Sequence, residues 1–151
     1  MVDPSGFEPV AKTDSTEVNV TRAEVAKFLK ERAPRMADSQ LGDFYRPEKY
    51  AYWPDLYRPQ MEYKGFAYAL ISTQANKRSL SNNMAQLAKN GTPVKMILGK
   101  EDQVVKPANV IPLAKQQLPA IDITLIDNAG HLPHIEEPEA FNNVFFEFLE
   151  R

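Results

Sequence analysis

From Thr92 to Pro107 the chain reads TPVKMILGKEDQVVKP, and from Ile123 to Leu149 it reads ITLIDNAGHLPHIEEPEAFNNVFFEFL. Each stretch opens with a short apolar, partly β-branched run that predicts a buried strand, at 94–98 and at 123–127, and each run ends in a polar loop. Between them, 108–118 reads as a helix interrupted by Pro112, so either the helix begins there with proline in its first turn or two short pieces meet there. A closing helix is predicted from Pro138 near its start, from Glu136, Glu137 and Glu139 at the positive end of its dipole, and from an apolar face of Phe141, Val144, Phe145, Phe148 and Leu149. Strand, helix, strand, helix with short turns implies parallel strands joined by crossovers, which is an α/β fold.

Upstream the texture changes. Thr21 and Glu24 form a capping box, with Val20 and Val25 placed as a hydrophobic staple, and a helix is predicted over 22–33, ended by Pro34. Residues 44–59, FYRPEKYAYWPDLYRP, pack aromatics among three prolines, too rich in side-chain area for a disordered linker and too broken for a long regular element. From Gln60 the pattern turns helical, with Tyr63, Phe66, Ala67 and Leu70 on one face. A second helix carries Leu80, Met84, Leu87 and Ala88 and is closed by Asn90 and Gly91. The first part reads as a mainly helical cover and the rest as a scaffold.

Composition narrows the function classes. The 151 residues are 43% hydrophobic and 25% charged, ordinary for one globular domain. A formal net charge of −2 with no basic run argues against a nucleic-acid partner. With no cysteine and two histidines, His131 and His134, there is no thiolate nucleophile and little to build a metal centre, so no cofactor is expected. No apolar stretch approaches the roughly 20 residues of a membrane span, and no signal-peptide pattern opens the chain. A cytoplasmic location is the reading, unless a targeting segment precedes Met1.

The chemistry is expected at the carboxyl ends of the strands, where loops can be polar while strands stay buried. Asp102 follows the first strand in GKEDQVV and His131 follows the second in DNAGH. Adjacent parallel strands would bring both to one rim of the sheet, where a carboxylate can accept the histidine Nδ1 proton, fix the tautomer and stabilise the imidazolium. Taken singly, an Asp after a strand is most often a turn former, and a His after glycine is often a plain loop residue. The joint pattern, apolar strand, G-x-x-D-x-V-V, helix, apolar strand, A-G-H and a proline-started helix, favours an acid and base pair.

These two stretches resemble the last two strand-loop units of the α/β-hydrolase superfamily, a likeness that covers about 92–151. YKGFAYALIST, at 63–73, is similar to the element that returns from the lid in the branch of lipases, esterases and meta-cleavage-product hydrolases. VDPSGF, at 2–7, resembles the end of the strand after which that branch inserts its lid. The resemblance implies a C-terminal part of that fold preceded by a mainly helical lid: a junction at 1–7, a lid at 8–60 and core at 61–151. It also implies Asp102 as triad acid and His131 as triad base, with His134 structural or pocket-lining. A small apolar ester-like substrate is expected, against walls drawn from Phe7, Trp53, Tyr57, Val104 and Leu132, with Phe44 also in the aromatic lid.

The nucleophile of that family lies on a G-x-S-x-G turn, and none of the six glycines frames a serine in this way. Ser5 lacks the first glycine, and Ser72, Ser79 and Ser81 fall in helical or turn contexts. The order nucleophile, acid, histidine puts the missing serine upstream of Met1. The expectation is a serine esterase or lipase-like hydrolase inactive as this chain alone. Its alternatives are a carbon–carbon bond hydrolase of the same fold and a non-catalytic binding or assembly protein. A three-strand remnant would expose an edge that should self-associate or pair with an N-terminal segment.

Overall fold

The structure, a computed structural model, describes residues 1–7, 17–77 and 80–150. They fall into two compact units: Met1–Pro9, Asp43–Arg46 and Ser79–Arg151 form the first, Val10–Gly42 and Pro47–Arg78 the second. Residues 61–77, expected with the core, fall in the second unit, and 80–150 in the first. Residues 8–16 of the expected lid and Ser79 lie outside the described residues.

In the first unit, strands β1 (Lys95–Gly99) and β2 (Asp122–Ile126) pair in parallel, in register from Lys95 opposite Asp122 to Gly99 opposite Ile126. At the start of the register Lys95 Nζ meets Asp122 Oδ1 at 3.0 Å. The other edge of β1 is taken by the N-terminus: Ile97 N donates to Met1 O at 2.9 Å, Asp3 N donates to Ile97 O at 3.0 Å, and Val2 forms a parallel bridge to Ile97. The expected three-strand remnant is therefore two strands and a bridge, and β1 lies between neighbours on both sides.

That position explains why all of β1 is buried. Side chains alternate across a strand, so Met96 and Leu98 face one layer and Ile97 the other. Met96 and Leu98 pack with Phe7, Met84 of α5 (Ser81–Lys89), and Val110 and Ala114 of α6 (Pro107–Gln117). Ile97 packs with Ile126, Ala129 and Phe141 of α8 (Pro138–Leu149), which follows the single turn α7 (Pro133–Glu136). Helices thus flank both faces of the parallel pair. Each fully buried large side chain here contributes roughly 1.5–3 kcal/mol, and Met96 and Leu98 are 0% exposed.

Several expectations are corrected. Helix α6 is one element from Pro107, with Pro112 inside it, because Pro107 rather than Pro112 takes the first-turn position that needs no amide. On α8 only Phe141 is buried; Phe145 and Leu149 are exposed, as is Phe146, because the apolar stripe is wider than the surface it covers.

The second unit is helical. Helix α1 (Arg22–Glu31) opens on the expected capping box, with Thr21 Oγ1 accepting from Glu24 N and Glu24 Oε2 accepting from Thr21 N. Pro34 does not simply end structure: it sits in the first turn of α2 (Ala33–Ser39), where a missing amide costs nothing. In the aromatic stretch, α3 (Trp53–Met61) forms with Pro54 in its first turn and Pro59 inside it near the end, flanked upstream by a 3₁₀ turn at Pro47–Tyr50. Gly65, at φ +91°, separates it from α4 (Phe66–Ala75), so Tyr63 lies outside that helix and is exposed. Tyr57 and Phe66 meet edge to face, centroids 6.3 Å apart. Asn76 ties the extended 17–20 segment to the end of α4 by accepting from Val18 N at 2.8 Å and donating to Val18 O at 3.0 Å. Among the described residues no helix is long and apolar enough to cross a membrane.

Candidate active site

The two loops at the carboxyl ends of β1 and β2 are stitched together by main chain. Lys100 N donates to Ile126 O at 2.9 Å and Glu101 N to Ala129 O at 3.0 Å, while Glu101 Oε2 accepts from Ala129 N at 3.2 Å. The approach is tight enough to require glycine: a Cβ on Gly99 would lie 1.8 Å from Gly130 O.

Asp102 is held by its own loop. Its Oδ1 accepts from Val104 N at 2.7 Å and Val105 N at 2.9 Å, an Asx-type turn that fixes the carboxylate plane. Its Oδ2 then meets His131 Nδ1 at 2.9 Å. Asp102 is 1% exposed. Burial alone would raise its pKa, but the bond to His131 and the amides of Val105 and Val104 outweigh it, and the net shift is downward. His131 is shifted upward, chiefly by its hydrogen bond to Asp102, against desolvation.

The imidazole is fixed from its main chain too, since His131 N donates to Asp43 O at 2.7 Å. Residues Asp43–Arg46 are clasped to this loop through Glu136, whose Oε2 accepts from Tyr45 N at 2.8 Å and whose Oε1 accepts from Gly130 N at 2.6 Å. Asp43 itself has a raised pKa, from burial first, with His131 acting against it and Asp102 with it.

A third carboxylate, which the sequence reading did not single out, completes the cluster. Asp3 is buried and occupies φ +37°, its Oδ1 accepting from Gly99 N at 2.9 Å. One ligand-type atom each of Asp3, Asp102 and His131 lie within 4.8 Å of one another. Both oxygens of Asp102 and the Nδ1 of His131 are already engaged, so the donor set fits a hydrogen-bonded acid and base system better than a cation site. Recognising that residues 2–7 end a strand, and that this strand would flank β1, was the signal that could have placed Asp3 at the same rim.

The remaining expected positions are scattered. Leu132 is half-buried beside His131 and Val104 is exposed. Phe7, expected on a pocket wall, is 1% exposed in the core among Met84, Met96 and Leu98, because the chain leaves the rim after Asp3 and folds under α6, where Gln117 Nε2 donates to Phe7 O at 2.8 Å. Phe44 is buried and belongs to the first unit. Trp53 and Tyr57 are half-buried on α3 in the second unit. His134 packs its ring against Phe141, centroids 5.8 Å apart, and desolvation lowers its pKa. An apolar groove lined by Leu87, Pro93, Val94, Leu118 and Ile121 lies at the amino ends of the strands, the end opposite to the carboxylate cluster.

Chemically, a buried carboxylate on Nδ1 leaves the Nε2 of His131 as a proton acceptor and stabilises the cation formed when it accepts. Asp102 and His131 can therefore act as a coupled acid and base at the mouth of the sheet.

No family model matches the chain. A 68-residue stretch is 32% identical to the AB hydrolase superfamily protein YclE of Bacillus subtilis (strain 168), covering 45% of this chain and 24% of that protein. Among solved structures, a thermophilic esterase from Thermogutta terrifontis (malate bound) matches 85% of this chain and 48% of its own at a TM-score of 0.66 and 18% identity. The 2-hydroxy-6-oxo-6-phenylhexa-2,4-dienoate hydrolase from Rhodococcus sp. strain RHA1 matches 84% of this chain and 47% of its own, at a TM-score of 0.64 and 15% identity. The chain thus spans about half the length of these solved proteins, and its fold is that of the C-terminal part of an α/β-hydrolase. Parallel strands flanked by helices, the sequence match and the structural matches agree on one fold for the chain, that of the α/β-hydrolases.

Proposed function

We propose that this chain carries the acid, Asp102, and the base, His131, of a Ser-His-Asp hydrolase whose nucleophile and oxyanion donors lie in a segment N-terminal to Met1. The observation that carries the reading is the 2.9 Å bond between Asp102 Oδ2 and His131 Nδ1 at the carboxyl ends of adjacent parallel strands. In this mechanism His131 Nε2 takes the proton of the serine hydroxyl as it attacks a carbonyl carbon. Asp102 stabilises the imidazolium, which returns the proton to the leaving group, and water cleaves the acyl-enzyme by the same path.

A carboxylic ester with an apolar acyl part is the favoured substrate, supported by the likeness to the Thermogutta esterase. Val104 and Leu132 adjoin the pair in sequence and are assigned to substrate contact. The helical unit carrying Trp53 and Tyr57 is assigned the role of lid. Cleavage of a carbon–carbon bond in a keto acid is the second reading, favoured by the likeness to the hexadienoate hydrolase.

The test compares this chain with the native-length protein on p-nitrophenyl acyl esters and on a 2-hydroxy-6-oxo-dienoate. Turnover of either substrate by the longer protein, lost in His131→Ala, supports the hydrolase and chooses the bond. Ester turnover by residues 1–151 alone that His131→Ala abolishes would sink the placement of the nucleophile. A native chain beginning at Met1 with no turnover would leave a binding or assembly role.

A further inference from the structure

We propose that Asp3 is a positioning residue that carries a proton and shares it with Asp102, so that one negative charge fewer faces His131. The inference rests on the acid and base reading of Asp102 and His131 and extends it to the edge of the sheet. Asp3 is fixed from two directions, its amide bonding Ile97 O and its Oδ1 taking the Gly99 amide, and its main chain turns at φ +37°. Its Oδ2 is buried and, among the described residues, has no hydrogen-bond partner.

An ionised carboxylate can only accept, and Asp102, a second carboxylate, belongs to the same cluster within 4.8 Å, so an anionic Asp3 would leave Oδ2 desolvated and the two carboxylates in repulsion. A protonated Asp3 donates to Asp102 and meets both difficulties with one hydrogen. The charged and titratable groups around it are Asp102 from the loop after β1 and His131 from the loop after β2, and Asp43, from the Asp43–Arg46 segment, interacts with those two. Burial, as the largest cause, and the charge of Asp102 push Asp3 up to about 7, against the Gly99 amide and His131. The consequence for chemistry is a limit on the alkaline side. Loss of this proton places a further anion beside His131, holds the imidazolium more tightly and weakens its return of the proton.

The experiment is a pH titration from 3 to 9 of residues 1–151 labelled with ¹³C at the aspartate Cγ, in wild type and Asp3→Asn, with assignment through Cβ–Cγ correlations. The expected result is a carboxyl step near pH 7 assigned to Asp3, absent in Asp3→Asn, and a His131 ring-nitrogen midpoint that is lower in Asp3→Asn than in wild type. An Asp3 carboxyl that titrates near the ordinary value of roughly 4, or a His131 midpoint unchanged in Asp3→Asn, overturns the proposal. If Asp3→Asn does not fold, the assigned wild-type curve decides alone. No turnover is read, so an inactive native-length protein would sink the hydrolase reading while leaving this result intact, and a low Asp3 midpoint in an active one would do the reverse.

Discussion

His131 and Asp102 show what a single pair of side chains does to pH dependence. The histidine is held above its ordinary value, so the stability it adds is fully present below the unfolded pKa of roughly 6.5 and is lost as pH rises through its folded pKa. Asp102 is shifted the other way, and its contribution is lost as pH falls through its lowered pKa. For Asp3, raised to about 7, the folded state binds the extra proton, and stability falls as pH climbs from about 4 towards 7. Melting temperature should therefore be higher at pH 6 than at pH 8.5, with the difference reduced in Asp3→Asn; an equal or reversed difference in wild type would contradict these assignments. Asp102→Asn should return the His131 midpoint, followed by ring-proton NMR, to the ordinary range of about 6.5. In the native-length protein the same substitution should lower kcat by on the order of 10⁴-fold. Asp102 and His131 could be picked from the sequence because strand-end position and loop pattern identify them. Asp3 could not, since its place depends on a parallel neighbour far away in the chain.

Elements explain how the pair is held. The two rim loops touch through glycine, and Gly99→Ala would force a Cβ into Gly130 O and Ala129 O, which are backbone atoms with no side chain to swing away. A loss of about 3 kcal/mol or more is expected, read as a fall in the urea midpoint; a change below roughly 0.5 kcal/mol would mean that the loops are not this close. Glu136 is a second support, clasping the amides of Tyr45 and Gly130. Glu136→Ala should destabilise by about 1.5–3 kcal/mol, whereas Glu136→Gln, which keeps one acceptor, should cost less. Strands β1 and β2 and helix α8 were legible from their periodicity and flanking prolines. Helices α2 and α3 were not, because proline reads as a stop when it stands in a first turn, as Pro34 and Pro54 do. The separation at Gly65 was equally hidden, because the apolar spacing of Tyr63, Phe66 and Leu70 runs straight across a residue whose φ is +91°.

For the whole molecule, the exposed apolar side chains of the first unit are the feature with consequences. Leu125 on β2 and Phe145, Phe146 and Leu149 on α8 are all exposed, and among the described residues the edge of β1 away from β2 is covered by the N-terminal segment through the bridge at Val2. Such surface favours association. Sedimentation velocity of residues 1–151 should show concentration-dependent species larger than 17.1 kDa, and a single monomeric boundary over a hundredfold range would contradict that. The central claim, that Asp102 and His131 serve a serine outside this chain, is tested most directly by labelling the native polypeptide with a fluorophosphonate probe and locating the adduct by mass spectrometry. The account predicts a label on one serine N-terminal to Met1, with labelling slowed at least a hundredfold in His131→Ala. A native polypeptide with no label, or a label whose rate is indifferent to His131, would contradict it.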